Sequence, residues 1–151
     1  MDISQITDYL YVGAQPALEH ADQLRALDVR LVISMRGEAR PPAAFGRPPL
    51  HVLWLRTYDT LITPIPMHKL MEGVRAALPV IKSGGRVLAH CQRGRHRGVA
   101  MGAAILIAMG YSADEAMRLL RDRRAIAHPQ AWHIRRQIKR FEKYWKDHPV
   151  S

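Results

Sequence analysis

Cys91 is the only cysteine in the 151-residue chain, and it opens the run CQRGRHR, which ends at Arg97. Between the two stand Gln92, Arg93, Gly94, Arg95 and His96, and Gly98 follows. Residues 86–89 read as a short apolar strand, and the residues after Arg97 read as an almost uncharged helix. A tight turn between such elements delivers several backbone N–H groups to one point. The helix adds its own unpaired N–H groups and the positive end of its dipole. A cradle of this kind suits a phosphoryl group. Gly94 lets the backbone curve where a side chain would clash. The planar fork of Arg97 can grip two phosphoryl oxygens at once. The same amides stabilise a thiolate at Cys91, which can attack phosphorus in line and form a phosphocysteine.

The leaving oxygen of that reaction needs a proton from an acid on another element. The stretch WLRTYDTLITP places Asp59 just beyond a strand end, where a loop can reach over the cradle. The same aspartate can then deprotonate the water that hydrolyses the intermediate.

These groups need a scaffold, and the chain supplies one. Its length fits one domain, residues 1–151, with a sizeable core. An apolar fraction of 48% and a charged fraction of 24% exclude a disordered chain. The net charge of +10 favours anionic partners. One cysteine makes no internal disulfide, MDISQITDYL does not read as a signal peptide, and the apolar run at 99–109 is too short to span a bilayer. The expectation is a cytoplasmic monomer without stable membrane insertion.

Strands are expected at 10–13, 30–35, 51–55 and 86–89. Helices are expected at 16–27, at 66–81 with a kink or early end at Pro79, from the capping box Ser112–Glu115 to about Arg123, and at 129–146 with Trp132, Ile138, Phe141 and Trp145 as apolar anchors. Residues 36–49, with four prolines, read as a surface loop. The alternation implies an α/β protein: a single-domain α/β/α sandwich with a central, mostly parallel sheet of four to five strands flanked by helices.

HCQRGRHR carries the His-Cys-x5-Arg signature of the protein tyrosine phosphatase superfamily. ITDYLYVGAQPAL, LRALDVRLVISMR and HPQAWHIRRQIKRFEKYW are similar to the opening, the first helix and strand, and the closing helix of its small dual-specificity branch. Asp59 precedes Cys91 by 32 positions, as that branch's acid loop does. The resemblance covers nearly the whole chain. It implies a cysteine-dependent phosphatase acting on phosphate monoesters, phosphotyrosine and phosphoserine or phosphothreonine, through a phosphocysteine. Cys91 would be the nucleophile, Arg97 the phosphate clamp and Asp59 the general acid and base. His90 would steady the loop and help keep Cys91 ionised. No metal and no cofactor are implied. Gly98 departs from the pattern, since the family places there a Ser or Thr whose hydroxyl donates to the sulfur.

The substrate-binding set is then His90, Gln92, Arg93, Gly94, Arg95, His96 and Gly98. Arg93, Arg95 and His96 flank the mouth and suit substrates with several anionic groups. A basic residue at Arg95 resembles the lipid and inositol phosphatases of the superfamily, whereas the neutral Gln92 does not. Phosphoproteins, phosphoinositides, inositol phosphates and the 5′ end of RNA all stay open as substrates. Arg121, Arg123, Arg124, Arg135, Arg136 and Arg140 read as a solvated helix face. His51, His68, His128 and His133 have no metal-binding spacing, and Trp54 and Trp132 read as core. Two competing functions are a rhodanese-like sulfurtransferase and a phosphate-binding module without turnover.

Overall fold

The computed structural model describes residues 1–150. Five strands form one sheet: β1 (Ile3–Thr7), β2 (Leu10–Gly13), β3 (Val29–Arg36), β4 (His51–Thr57) and β5 (Arg86–His90), in the order β1-β2-β5-β3-β4. β1 pairs antiparallel with β2, and all the other pairings are parallel. The chain is thus a small α/β domain with a mostly parallel sheet, as its alternating pattern implies.

Five α-helices cover the sheet: α1 (Ala21–Ala26), α2 (Met67–Lys82), α3 (Arg97–Ala108), α4 (Ala113–Arg123) and α5 (Trp132–Asp147). The side-chain alternation of the strands, interrupted by an irregularity in β3 between Val29 and Leu31, feeds two cores. Leu31, Ile33 and Met35 of β3 with Val87 and Ala89 of β5 pack under α2, α3, α4 and α5. Val29 and Val32 with Leu88 face the smaller core of Ala21, Leu24, Phe45 and Leu50. Helix α3 runs through the middle of the larger core, with eleven of its twelve residues buried. That is why it carries almost no charge: a helix covered on all sides has no solvated face to fill.

Several elements differ from expectation. β1 is an additional edge strand. The helix expected at 16–27 is a 3-10 turn, Leu18–His20, followed by the short α1. The proline-rich loop contains a 3-10 turn, Ala43–Gly46, that buries Phe45. Pro79 does not end its helix early: it lies in the last turn of α2, which runs on to Lys82. The Ser112–Glu115 capping box forms as expected: Ser112 N–H donates to the Glu115 carboxylate at 2.8 Å, and Glu115 N–H to Ser112 Oγ at 3.1 Å. Trp132 is 57% exposed rather than core. The buried stripe of α5 runs Ile134, Ile138 and Phe141, and Trp132, two residues before Ile134, points the other way round the helix. Trp54 is half-buried and donates its indole N–H to the Arg36 carbonyl at 2.6 Å.

Candidate active site

His90 at the end of β5 lies level with Gly13 of β2 and Ser34 of β3. The turn that follows therefore opens at the carboxyl ends of three parallel strands, where open α/β sheets bind their ligands. The buried Cys91 begins the turn, and α3 starts six residues later at Arg97.

The carbonyls of this turn are pulled outward one by one. Gln15 N–H donates to Gln92 O at 3.2 Å, His128 N–H to Arg95 O at 3.0 Å, and Ala100 N–H to His96 O at 2.9 Å. Arg124 takes the two between, with Nη2 on Arg93 O and Nε on Gly94 O, both at 2.8 Å. With the carbonyls held out, the amides turn in. The N–H of Gly94 donates to Cys91 Sγ at 3.3 Å. Among the described residues, no protein acceptor takes the N–H of Gln92, Arg93, Arg95 or His96. That is an anion cradle with a sulfur at its base.

Arg124 corrects an expectation. It is not part of a solvated face but 2% exposed, anchored by Asp2 and Ser4 through its remaining donors. Gly94 holds φ +67°, and a Cβ there would stand 2.4 Å from the Gly13 carbonyl carbon. Both the conformation and the close approach require glycine.

Arg97 is 5% exposed and enters the site with three of its five donors spent. Nη1 donates to Met35 O at 3.2 Å and Thr57 O at 2.9 Å, which ties the side chain to the ends of β3 and β4. Glu38 closes on the end of the fork, Oε1 to Nη1 at 2.8 Å and Oε2 to Nη2 at 3.0 Å. Those hydrogen bonds, working against burial, hold the Glu38 carboxyl down at about 2. The side edge of the guanidinium is left over, and its buried Nε has no partner. A guanidinium offers five N–H donors, so this edge remains for a phosphoryl group. Glu38 was not among the residues read from the sequence. It lies in a proline-rich loop, 59 positions from Arg97, with no local signal of its role.

Asp59 lies in the loop after β4 and lines a cleft of about 470 Å³ with Glu38, Tyr58, Cys91, Arg95 and Arg97. Its Oδ2 is 2.8 Å from His96 Nδ1, and its Oδ1 is 3.2 Å from His133 Nε2. Burial pushes the Asp59 carboxyl up, but the hydrogen bonds of the two imidazoles outweigh it and leave the pKa below the ordinary value. His133, whose spacing in the sequence suggests no metal site, reaches this cluster from the first turn of α5. His90 is buried under the cradle, with Nδ1 3.2 Å from Cys91 O. Desolvation drives its pKa down to about 4, so the ring is neutral at physiological pH. Gln92, Arg93 and Arg95 are exposed at the mouth, and His96 is half-buried.

The family model for the dual specificity phosphatase catalytic domain matches residues 10–144. The chain belongs to that family. As a dual specificity phosphatase domain it is a hydrolase, which sets aside the sulfurtransferase reading. Human DUSP28 has a similar structure, with TM-score 0.85 and 20% identity over 97% of this chain and 96% of that one. PTPMT1 in complex with PI(5)P is likewise similar, with TM-score 0.85 and 25% identity over 96% of this chain and 97% of that one. Tk-PTP in the active form has TM-score 0.81 and 23% identity, covering 94% and 97%. Among curated proteins none matches the sequence.

The domain's Gly98 has a steric counterpart. A Cβ there would lie 3.1 Å from His90 Cα and 3.2 Å from Cys91 N. The first turn of α3 sits close enough to the cradle that a serine or threonine fits only if the backbone gives by a few tenths of an ångström.

Proposed function

We propose that this phosphatase domain hydrolyses phosphate monoesters through a phosphocysteine at Cys91, with phosphotyrosine and phosphoserine or phosphothreonine as its substrates. The observation that carries the reading is the Gly94 N–H on Cys91 Sγ, with the neighbouring loop amides free of protein acceptors, beside the free side edge of Arg97. The phosphoryl oxygens take the free amides and that edge. The Cys91 thiolate attacks phosphorus, an S–P bond forms, and the ester P–O bond breaks. The leaving oxygen takes a proton from Asp59. In the second step Asp59, again a carboxylate, removes a proton from water. The water oxygen bonds to phosphorus, the S–P bond breaks, and the thiolate and inorganic phosphate are released. Glu38 acts through Arg97 by fixing the fork with the side edge turned free. His90 stays neutral under the loop and adds no charge that must be moved.

A second substrate class has specific support. Arg93 and Arg95 stand exposed at the mouth, suited to further phosphate groups on an inositol ring or an RNA 5′ end, and PTPMT1 has been solved with PI(5)P. The deciding experiment is phosphate release across phosphotyrosine and phosphoserine peptides, phosphoinositides and 5′-phosphorylated RNA, with Cys91→Ser as the control. Release from peptides by the wild type alone supports the proposal. Release confined to phosphoinositides or RNA moves the substrate class and keeps the chemistry. Binding without release by the wild type would leave a phosphate-binding module and overturn the mechanism.

A further inference from the structure

We propose that Asp59, His96 and His133 bind a zinc-type divalent transition metal, and that the bound metal withdraws the acid loop from the reaction. The second half rests on the acid role given to Asp59 above; the first half does not.

Three separate elements each bring one donor atom: the loop after β4, the cradle itself and the first turn of α5. The atoms all lie within 4.8 Å of one another. In a tetrahedral zinc site with bonds of about 2.0–2.2 Å, neighbouring donors stand roughly 3.3 Å apart. Asp59 Oδ2 to His96 Nδ1 is 2.8 Å and Asp59 Oδ1 to His133 Nε2 is 3.2 Å, so small side-chain rotations enclose an ion. Two imidazoles and one carboxylate make an open site with a fourth position for water.

The surroundings narrow the metal. Arg93, Arg95 and Arg97 line the same cleft, and the chain is strongly basic. An ion held mainly by charge, such as magnesium or calcium, is repelled there and lacks its preferred set of oxygen ligands. An ion that gains from nitrogen coordination is favoured: zinc, copper, nickel or cobalt. The rings are also placed for the task. His133 packs edge-on to His96 with centroids 5.2 Å apart, and its side chain is only 13% exposed. Neither imidazole needs a large swing to meet the carboxylate. With its lone pair on a metal, Asp59 cannot pass a proton to a leaving oxygen, and the loop is pinned to the cradle and to α5.

The competing location for a thiophilic metal is Cys91, so the test separates the two. Zinc binding to the whole chain is measured by competition with a chromophoric chelator, for wild type, Cys91→Ser and His133→Gln. One equivalent bound equally by wild type and Cys91→Ser is expected. His133→Gln should bind at least about tenfold more weakly, since even an outer-shell partner costs that much. Magnesium and calcium should not displace the zinc. A cobalt spectrum of the wild type decides the matter without any variant. Ligand-field bands with no sulfur charge-transfer band support the site, and a sulfur band overturns it. Loss of zinc in Cys91→Ser, or undiminished binding in a natively melting His133→Gln, also overturns it. Zinc should in addition suppress phosphate release, and a chelator should restore it. Release that persists with the metal bound would overturn the withdrawal of the acid loop. A protein that releases no phosphate at all fails the catalytic reading, while the binding arms still decide the site.

Discussion

The cradle at 91–97 and the acid loop at 58–66 face each other across one cleft, and they are built in opposite ways. In the cradle, each of the five carbonyls from Gln92 to His96 has a fixed donor, and two of those bonds come from a single buried arginine. In the acid loop, Leu61 is 57% and Ile62 90% exposed. The loop's ends are fixed, with Arg97 on Thr57 O and Gln137 on Ile65 O, but between them the contacts are local threonine bonds and the two imidazoles on Asp59. The difference fits the tasks proposed for the two regions. A cradle stabilises charge best when its dipoles need no reorganisation. An acid that gives a proton in one step and takes one in the next gains from a segment that is held at its ends and free between them.

Damage to the two regions should therefore differ in kind. Cys91→Ser should abolish turnover and keep the affinity for a phosphate analogue, because the cradle is backbone and Arg97; turnover near wild type would end the thiolate mechanism. Arg124→Ala should come next. It strands two carbonyls, at roughly 1–3 kcal/mol each, so both the melting temperature and phosphate-analogue binding should fall. An unchanged melting curve would show that the cradle holds its shape without the arginine.

Asp59→Asn, in the other region, should leave the melting temperature within a degree or two. It should slow an alkyl phosphate by about 10²–10⁴-fold and a nitrophenyl phosphate far less, since only the poor leaving group needs the proton. Equal losses on both substrates would make Asp59 a structural residue.

Acidification sharpens the contrast further. His90 carries a folded-state pKa of about 4 against an ordinary 6.5, so the unfolded chain binds the proton first as the pH falls. The burial of the neutral ring is fully compatible with folding above pH 6.5, and stability is lost as pH falls from there through 4. Glu38 is depressed from 4.5 to about 2, so its contribution is present above 4.5 and lost as pH falls toward 2. Denaturation curves at stepped pH should show the first loss well before the second, and His90→Asn should flatten the first.

The smallest effect should be at Gly98. Glycine offers no hydroxyl to the sulfur when the S–P bond breaks, so a burst of leaving group should precede a slower steady rate. Gly98→Ser should shrink the burst, and Gly98→Ala, which brings the same Cβ without the hydroxyl, should not. Both should lower the melting temperature slightly, because of the close approach to His90. Identical kinetics in the two variants would remove the hydroxyl from the explanation.

The sequence by itself determined what local order can encode. The run from residue 86 to 109 announces strand, glycine turn and buried helix because apolar patterning, a glycine between polar residues and the lack of charge are local properties. The signature residues Cys91 and Arg97 were legible for the same reason, and so was Asp59, at the end of a recognisable strand. The Ser112–Glu115 cap was equally plain, since a capping box closes within four residues. Only the tertiary structure decided which distant side chains complete the site. Glu38 on the fork of Arg97, Arg124 behind the carbonyls and His133 on Asp59 lie 59, 30 and 74 positions from their partners. Nothing in their neighbourhoods marks them, because a charged or polar side chain reads alike in the sequence whether it faces water or a buried partner. Their roles arise from the parallel sheet, which brings the carboxyl ends of β2, β3 and β5 together and draws the loops above them into contact.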